Sequence, residues 1–375
     1  DVSIATDPFT VPETLDPAID LPRVLRQIHD RLAPSGTMRL EAHAKRDANT
    51  GKETYDGVVE LIDARAVYAD FPLPAESLVG DIRFSDREVV IDGLRGEMVG
   101  GGTVRARGTI GPPGDTAAVK LLVQLRDVPV GEALLGAMPE GQQQAIDLLM
   151  NQAALAELKQ AGLIVEPGAE PSSPAGASRG GGGGGPPWRF AMGGTIDVDV
   201  DVDREEGPDK RYLNTTTIPV QGLSGVFEHF AVPVTGTAGH VSFNREAVRV
   251  EGVEAVTPTG AVVKVDGAIT GHEGGGPLSP HLIITAEEGR IDELVLAALP
   301  EDQARQIREL QLEGSLAARA RVFRDPEADR IAFEVNTELS DARADPFGSG
   351  YVLAALSGRV RVFPGGFDRS EERRV

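Results

Sequence analysis

Asp197-Val198-Asp199-Val200-Asp201-Val202-Asp203 reads as a β-strand with valine on one face and carboxylate on the other, because successive side chains of an extended chain point to opposite sides of a sheet. The same period recurs along the chain. Leu316, Ala318, Ala320 and Val322 alternate with Ala317, Arg319 and Arg321; Val119, Leu121, Val123 and Leu125 form another apolar series. Shorter runs pair Ile82 with Phe84, Val241 with Phe243, and Ile331 and Phe333 with Val335. One-sided alternation predicts an antiparallel sheet wet on one face rather than a buried parallel sheet. Gly93, Gly96 and Gly100 to Gly102 are expected to punctuate these strands, and Asn244 to sit at a tight turn.

The chain also repeats itself. Leu21-Pro22 reappears as Leu299-Pro300, and under the same shift Gly36 falls on Gly314, Arg46-Asp47 on Arg324-Asp325, and Gly80 on Gly358. Leu61, Asp63, Ala64, Arg65 and Ala66 fall on Leu339, Asp341, Ala342, Arg343 and Ala344. A second copy lies between: Phe71 matches Phe230, Gly80 Gly239, Phe84 Phe243, Gly108 Gly267 and Ile110 Ile269. With two further residues inserted, Glu132, Leu135, Ala137 and Pro139 match Glu293, Leu296, Ala298 and Pro300. About two and a half units are expected: 1–137, 138–298, and a truncated third at 299–375.

A short helix should lead each unit. Pro22 and Pro300 suit a first helical turn, where the missing N–H costs nothing. Leu25, Ile28 and Leu32 make one apolar stripe, and Ala304, Ile307 and Leu310 its counterpart; Ile146, Leu149, Ala153 and Leu158 mark a longer helix in the middle unit. Residues 162–187 contain Pro-Ser-Ser-Pro and Gly180 to Gly185. This composition predicts a flexible surface insertion that buries too little to offset its ordering entropy.

Bulk properties narrow the function. A net charge of -21 opposes binding to a phosphate backbone, so no nucleic-acid partner is expected. With Cys 0 there are no disulfides, thiolate nucleophiles or thiolate metal sites. No stretch reaches the roughly 20 apolar residues of a membrane-spanning helix. The chain starts at Asp1 without Met, which suggests a piece of a longer protein whose anchor lies elsewhere.

No motif suggests catalysis, and no enzyme activity is expected. The Gly180–Gly185 run lacks the Lys-Ser/Thr ending of a phosphate loop and is followed by Pro186 and Pro187. Carboxylates of the Asp197–Asp203 ladder stand about 6.8 Å apart along one face, too far for one ion to bridge neighbours unaided. His29, His43, His229, His240, His272 and His281 lack zinc-site spacing. No serine sits in a Gly-x-Ser-x-Gly elbow. No metal, cofactor or catalytic residue is assigned.

What remains is the apolar face. Alternation assigns to it Ile82, Phe84, Val104, Ala106, Val119, Leu121 and Val123 in the first unit. In the second it assigns Val198, Val200, Val202, Val241, Phe243, Val248, Val250, Val263 and Val265, and in the third Leu316, Val322, Ile331, Phe333 and Val335. Val262 and Leu122, beside members of this set, leave their own strands' registers open. Such a face must be covered by helices, a second sheet, the sheet itself or a ligand. Helical residues are too few, so a closed barrel or sandwich and an open trough lined for lipid tails both stand.

Two phrases carry a family resemblance. One is Gly80-Asp-Ile-Arg-Phe-Ser-Asp-Arg-Glu-Val-Val-Ile-Asp-Gly-Leu-Arg-Gly96 with Gly101-Gly-Thr-Val-Arg-Ala-Arg-Gly108, echoed by Gly239-His-Val-Ser-Phe243 and Gly260-Ala-Val-Val-Lys-Val-Asp-Gly267. The other is Val130-Gly-Glu-Ala-Leu-Leu-Gly-Ala-Met-Pro139, echoed by Ile291-Asp-Glu-Leu-Val-Leu-Ala-Ala-Leu-Pro300. Over most of its length outside 162–187, the chain resembles the bacterial AsmA-like proteins, related to TamB and to the repeating β-groove bridge proteins of eukaryotes. The resemblance implies a mainly β fold with short helices: an elongated, curled antiparallel sheet, a β-taco or groove with an apolar lining. It further implies a periplasmic or envelope location, inner-membrane anchoring through a segment outside this chain, and passive transfer of phospholipid or another acyl lipid, with other envelope proteins as partners. The alternative is a structural or protein-interaction β-repeat scaffold without a lipid ligand.

Overall fold

The computed structural model describes residues 1–14, 32–69, 71–114, 116–137, 150–168, 187–227, 230–271, 279–299, 301–363 and 366–370. Strands make up 63% and helices 11%, so helices cannot form a covering layer. The expected leading helix at Pro22, Leu25 and Ile28, the positions Ile146 and Leu149, and the Gly180–Gly185 run lie outside the described residues.

The chain begins with β1 (Val2–Ala5), β2 (Phe9–Val11), β3 (Ser35–Arg46), β4 (Glu53–Tyr68) and β5 (Phe71–Ser85). It continues with β6 (Val89–Met98), β7 (Thr103–Gly111), β8 (Ala118–Pro129) and α1 (Glu132–Ala137). Then come α2 (Gln152–Gln160), the short strands β9 (Ile164–Val165) and β10 (Trp188–Arg189), β11 (Thr195–Arg204) and β12 (Leu213–Pro219). Next are β13 (Ser224–Phe227), β14 (Phe230–Phe243), β15 (Ala247–Val256), β16 (Val262–Thr270), β17 (Ser279–Arg290), α3 (Glu293–Ala297) and α4 (Glu301–Glu309). Last are β18 (Glu313–Asp325), β19 (Arg330–Ala344), β20 (Leu353–Phe363) and β21 (Gly366–Ser370).

Contacts divide the chain into two compact units. The first comprises Asp1–Gln143, Thr195–Ile218 and Ser242–Arg245; the second comprises Gln144–Gly194, Pro219–Val241 and Glu246–Val375. In the first, β1 and β2 both lie antiparallel on β3, and β3 to β8 follow as a meander. The valine–aspartate strand β11 adds to β8, and β12 to β11. In the second unit β13 to β21 are neighbours in chain order. Each unit is an open, curled sheet; neither closes into a barrel.

The repeat is visible in hydrogen-bond register. Met38 opposite Leu61 in β3–β4 corresponds to Leu316 opposite Leu339 in β18–β19. Leu61 opposite Gly80 corresponds to Leu339 opposite Gly358, and the register then slips at the same place in both copies. Ile91 opposite Gly108 corresponds to Val250 opposite Gly267, again followed by matched slips. Gly93 and Gly252 sit at these slips with φ of 68° and 57°, left-handed values that suit an antiparallel bulge. The expectation that Gly93 and Gly96 separate strands is therefore corrected. Both lie inside β6, Gly93 as a bulge and Gly96 where a Cβ would come within 2.6 Å of the Glu76 carbonyl oxygen.

The hairpin turns repeat as well. The Asp47 carboxylate accepts from the N–H groups of Asn49 and Thr50, each at 2.8 Å, and Asp325, its repeat partner, accepts from Glu327 at 2.8 Å and Ala328 at 3.2 Å. In each case these backbone donors hold the carboxyl below its ordinary value of 3.8. A depressed folded-state value means that the contribution to stability is present above 3.8 and is lost as pH falls through the folded value. A carboxyl-detected NMR titration should place both midpoints below that of an aspartate in an unfolded peptide; midpoints at or above 3.8 would show that the turns do not persist in solution.

The helices pack on a few strands only. In the first unit α1 packs against β5, and its Leu134 and Ala137 are buried. In the second, α2 is capped by Asn151, whose side-chain oxygen accepts from Ala154 N–H at 3.0 Å. Its buried residues are Ala154, Leu155 and Leu158; the expected stripe member Ala153 is exposed, so the face is turned by one position. With Ile164, Phe190, Val226 and Leu294 these form a compact hydrophobic cluster. Thus Gly162–Gly168, at the margin of the expected insertion, carries a strand: β9 pairs in parallel with β10, and Ile164 is buried.

Candidate functional site: the apolar sheet faces

Residues opposite one another in a ladder share a face, so register decides which side chains stand together. In the first unit, Phe84 opposes Val89 and Ile82 opposes Ile91. Ile91 opposes Gly108, which opposes Leu121. Val104 opposes Leu125 and Ala106 opposes Val123. Leu125, Val123 and Leu121 in turn oppose Val198, Val200 and Val202. Val119 opposes Ile110 on the same side. The seven first-unit positions thus share one face across β5 to β8 with Val198, Val200 and Val202 of β11, which the sequence assigned to the second repeat.

The second unit builds the same surface. Val248 and Val250 oppose Ile269 and Gly267, and beyond the bulge Val265 opposes Val253 and Ile284. Val263 opposes Ala255 and Ala286. Ile284 leads through Ala320 to Val335, and Leu282 through Val322 to Phe333. Leu316 joins from β18, and Ile331 alternates with Phe333 along β19. Val241 lies beside His240, whose ring pairs with Glu251 on the polar side at 2.9 Å; alternation turns Val241 to the apolar side. Phe243, two residues on, is half-buried and belongs to the first unit.

Both open registers are now settled. Val262 opposes Glu287 on the polar face, and Leu122 lies between Arg107 and Asp201, also on the polar face.

Sequence reasoning missed part of this surface. Leu40, Val59, Leu61, Leu94 and Leu282 lie on it, as do Val2 and Ile4 of β1. In β4 the signal was present as Val59 and Leu61 flanking Glu60. In β17 the consecutive Leu282, Ile283 and Ile284 hide the alternation.

The face is incompletely covered. Among the described residues the main contacts run between hydrogen-bonded strands, and the short helices touch only a few strands. Most lining residues are half-buried; Ile331 and Phe333 remain 55% exposed, whereas Leu294 in the helix-covered cluster is 0% exposed. The opposite face is ionic. Arg126 binds Asp199 at 2.6 Å and approaches Asp197 at 3.8 Å, and Lys264 binds Glu287 at 3.1 Å. Arg126 thus ties down the first half of the aspartate ladder. Among the described residues no group of three or more His, Asp or Glu is placed to hold a metal ion.

Arg204, the buried charged residue that ends β11, donates to the carbonyls of Ala117, Lys210 and Gly207 and lies 5.5 Å from the Tyr212 ring centre. These acceptors make it a structural tie for the following loop.

No protein-family model, curated protein or solved structure matches this chain. Its chemistry has to be read from the faces themselves. Among the described residues no helix is long and apolar enough to cross a membrane.

Proposed function

We propose that the apolar faces hold the acyl chains of phospholipid or a similar lipid, and that the chain is a non-enzymatic lipid-transfer segment of an AsmA-like envelope protein. The observation that carries this reading is the half-covered apolar stripe, continuous across strand after strand in each unit, with the Arg126–Asp199 and Lys264–Glu287 ion pairs on the other side. Each methylene removed from water contributes about 0.8 kcal/mol, so a two-chain lipid leaves a bilayer only when offered a comparable apolar surface. A row of valines, leucines and alanines offers near-equivalent positions and no directional partner, which suits passive sliding without nucleotide or metal. The resemblance of the Gly80–Gly108 and Val130–Pro139 phrases to AsmA-like proteins supports the same reading, which puts the work in the periplasm or cell envelope as part of the proposal.

Native mass spectrometry of the purified chain tests the proposal. Masses corresponding to one or more retained phospholipids are expected. Lipid-free spectra under conditions that preserve lipid on established carriers would favour the scaffold alternative, for which the exposed Ile331 and Phe333 would be a protein contact.

A further inference from the structure

The polar face of the first unit carries a cluster that lipid binding does not use. Arg95 and Arg105 stand directly opposite each other on β6 and β7, and Arg107 follows two residues on, on the same side. Like charges directly opposed across a ladder are destabilising. All three side chains are exposed, and none has a hydrogen bond or ion pair within the described residues. They line a shallow depression of about 380 Å³ together with Leu122 and Gln124. The Gln124 side-chain amide donates to Asp199 at 3.1 Å, and Arg126 also binds that carboxylate. Asp199, in line with Arg105 across Gln124, is therefore already engaged, while Asp201 stands in line with Arg107 beyond Leu122, one strand further away.

The second repeat supplies an internal control. At the positions matching Arg95, Arg105 and Arg107 stand Glu254, Lys264 and Asp266, in the same register around the same bulge. There the charges satisfy one another: Glu254 faces Lys264, Lys264 binds Glu287 at 3.1 Å, and Asp266 accepts the Gly252 N–H at 2.7 Å. One framework is thus neutralised in one copy and left with three open guanidinium groups in the other. In a chain of net charge -21, this local excess of arginine runs against the bulk composition.

We propose that Arg95, Arg105 and Arg107 bind a phosphate group, either inorganic phosphate or the phosphomonoester of a small molecule. Guanidinium forks pair with such oxygens two at a time, and a dianion matches a cluster of several positive charges. Gln124 adds a polar side chain at the edge, and Leu122 an apolar floor for a ligand's carbon skeleton. The site lies on the side of the sheet away from the apolar lining, so it stands whether or not that lining takes lipid.

Titration of the full chain, followed by arginine side-chain NMR at constant ionic strength, tests this with two probes: inorganic phosphate and glycerol 3-phosphate. Saturable shifts with at least one probe are expected. Tighter binding of glycerol 3-phosphate would assign the ester; equal affinities would assign phosphate itself. Binding should weaken at least tenfold in Arg95→Gln and in Arg105→Gln, and remain unchanged in Lys264→Gln. Circular dichroism should show the arginine variants folded, because the arginines lack partners to lose; Arg107→Gln provides a third independent variant. Absence of saturation with both probes, or wild-type affinity in the folded arginine variants, would overturn the proposal.

Discussion

Gly239→Ala is expected to destabilise the second unit by about 3 kcal/mol or more, while Gly358→Ala, at the matching position of the third repeat, is expected to be neutral or stabilising by up to about 1 kcal/mol. Gly239 has a φ of 92°, and a Cβ there would lie 2.3 Å from the Gly252 carbonyl oxygen and 2.5 Å from the Val253 Cα. Those are backbone atoms, so no rotamer change relieves the clash; β14 and β15 would have to separate beside the Gly252 bulge. Gly358 has no left-handed φ, and nothing lies within 4 Å of its added Cβ. Replacing it removes unfolded-chain entropy without native strain. Urea denaturation of the two variants measures the contrast. Equal costs would mean that the bulge geometry is not what retains glycine at this position.

The second large effect separates lining from core. Leu294→Ala should cost about 2–5 kcal/mol, the range for removing a fully buried leucine side chain, because Leu294 is sealed among Leu155, Leu158, Phe190 and Val226. Phe333→Asp should change stability by less than about 1 kcal/mol, as expected of a half-exposed site, since the new carboxylate can reach water. Yet it places a charge in the apolar stripe beside Val322. An acyl chain lying there would meet an unpaired carboxylate, and lipid photocrosslinking from the neighbouring Val335 position should fall at least tenfold. If Phe333→Asp unfolds the protein as Leu294→Ala weakens it, the face is a packed core and the scaffold reading gains. If it folds and crosslinks lipid undiminished, the acyl chains do not run past Phe333.

Much of the fold could be read before any coordinates. Period two survives wherever one face meets water, so Val198, Val200 and Val202, or Leu316 to Val322, declare their side. The matching glycines declared the repeat, because close strand approach and left-handed bulges leave few other residues possible. What stayed hidden depends on partners. Gly93 reads the same as a turn or as a bulge until its neighbour is known. Whether the sheet closes is not encoded in alternation, since a barrel and an open sheet need the same pattern. The arginine cluster was invisible because Arg95 and Arg105 meet only through the pairing of β6 with β7. For α2, a one-residue error in the apolar stripe follows from its short length, nine residues, over which neighbouring faces are hard to tell apart.

The placement of β11 has a kinetic consequence. From β3 to β8 every strand pairs with the one just made, so those contacts close small loops and can form quickly. The β8–β11 ladder is different: Pro129 pairs with Thr195 only after the chain has travelled through α1, α2 and the β9–β10 pair. The entropy lost in closing such an excursion grows with the logarithm of its length and comes before any ladder bond offsets it. The valine–aspartate strand should therefore be among the last of its unit to gain protection in pulse-labelled amide exchange during refolding. Shortening the excursion should speed that phase while leaving the β3–β8 phase unchanged.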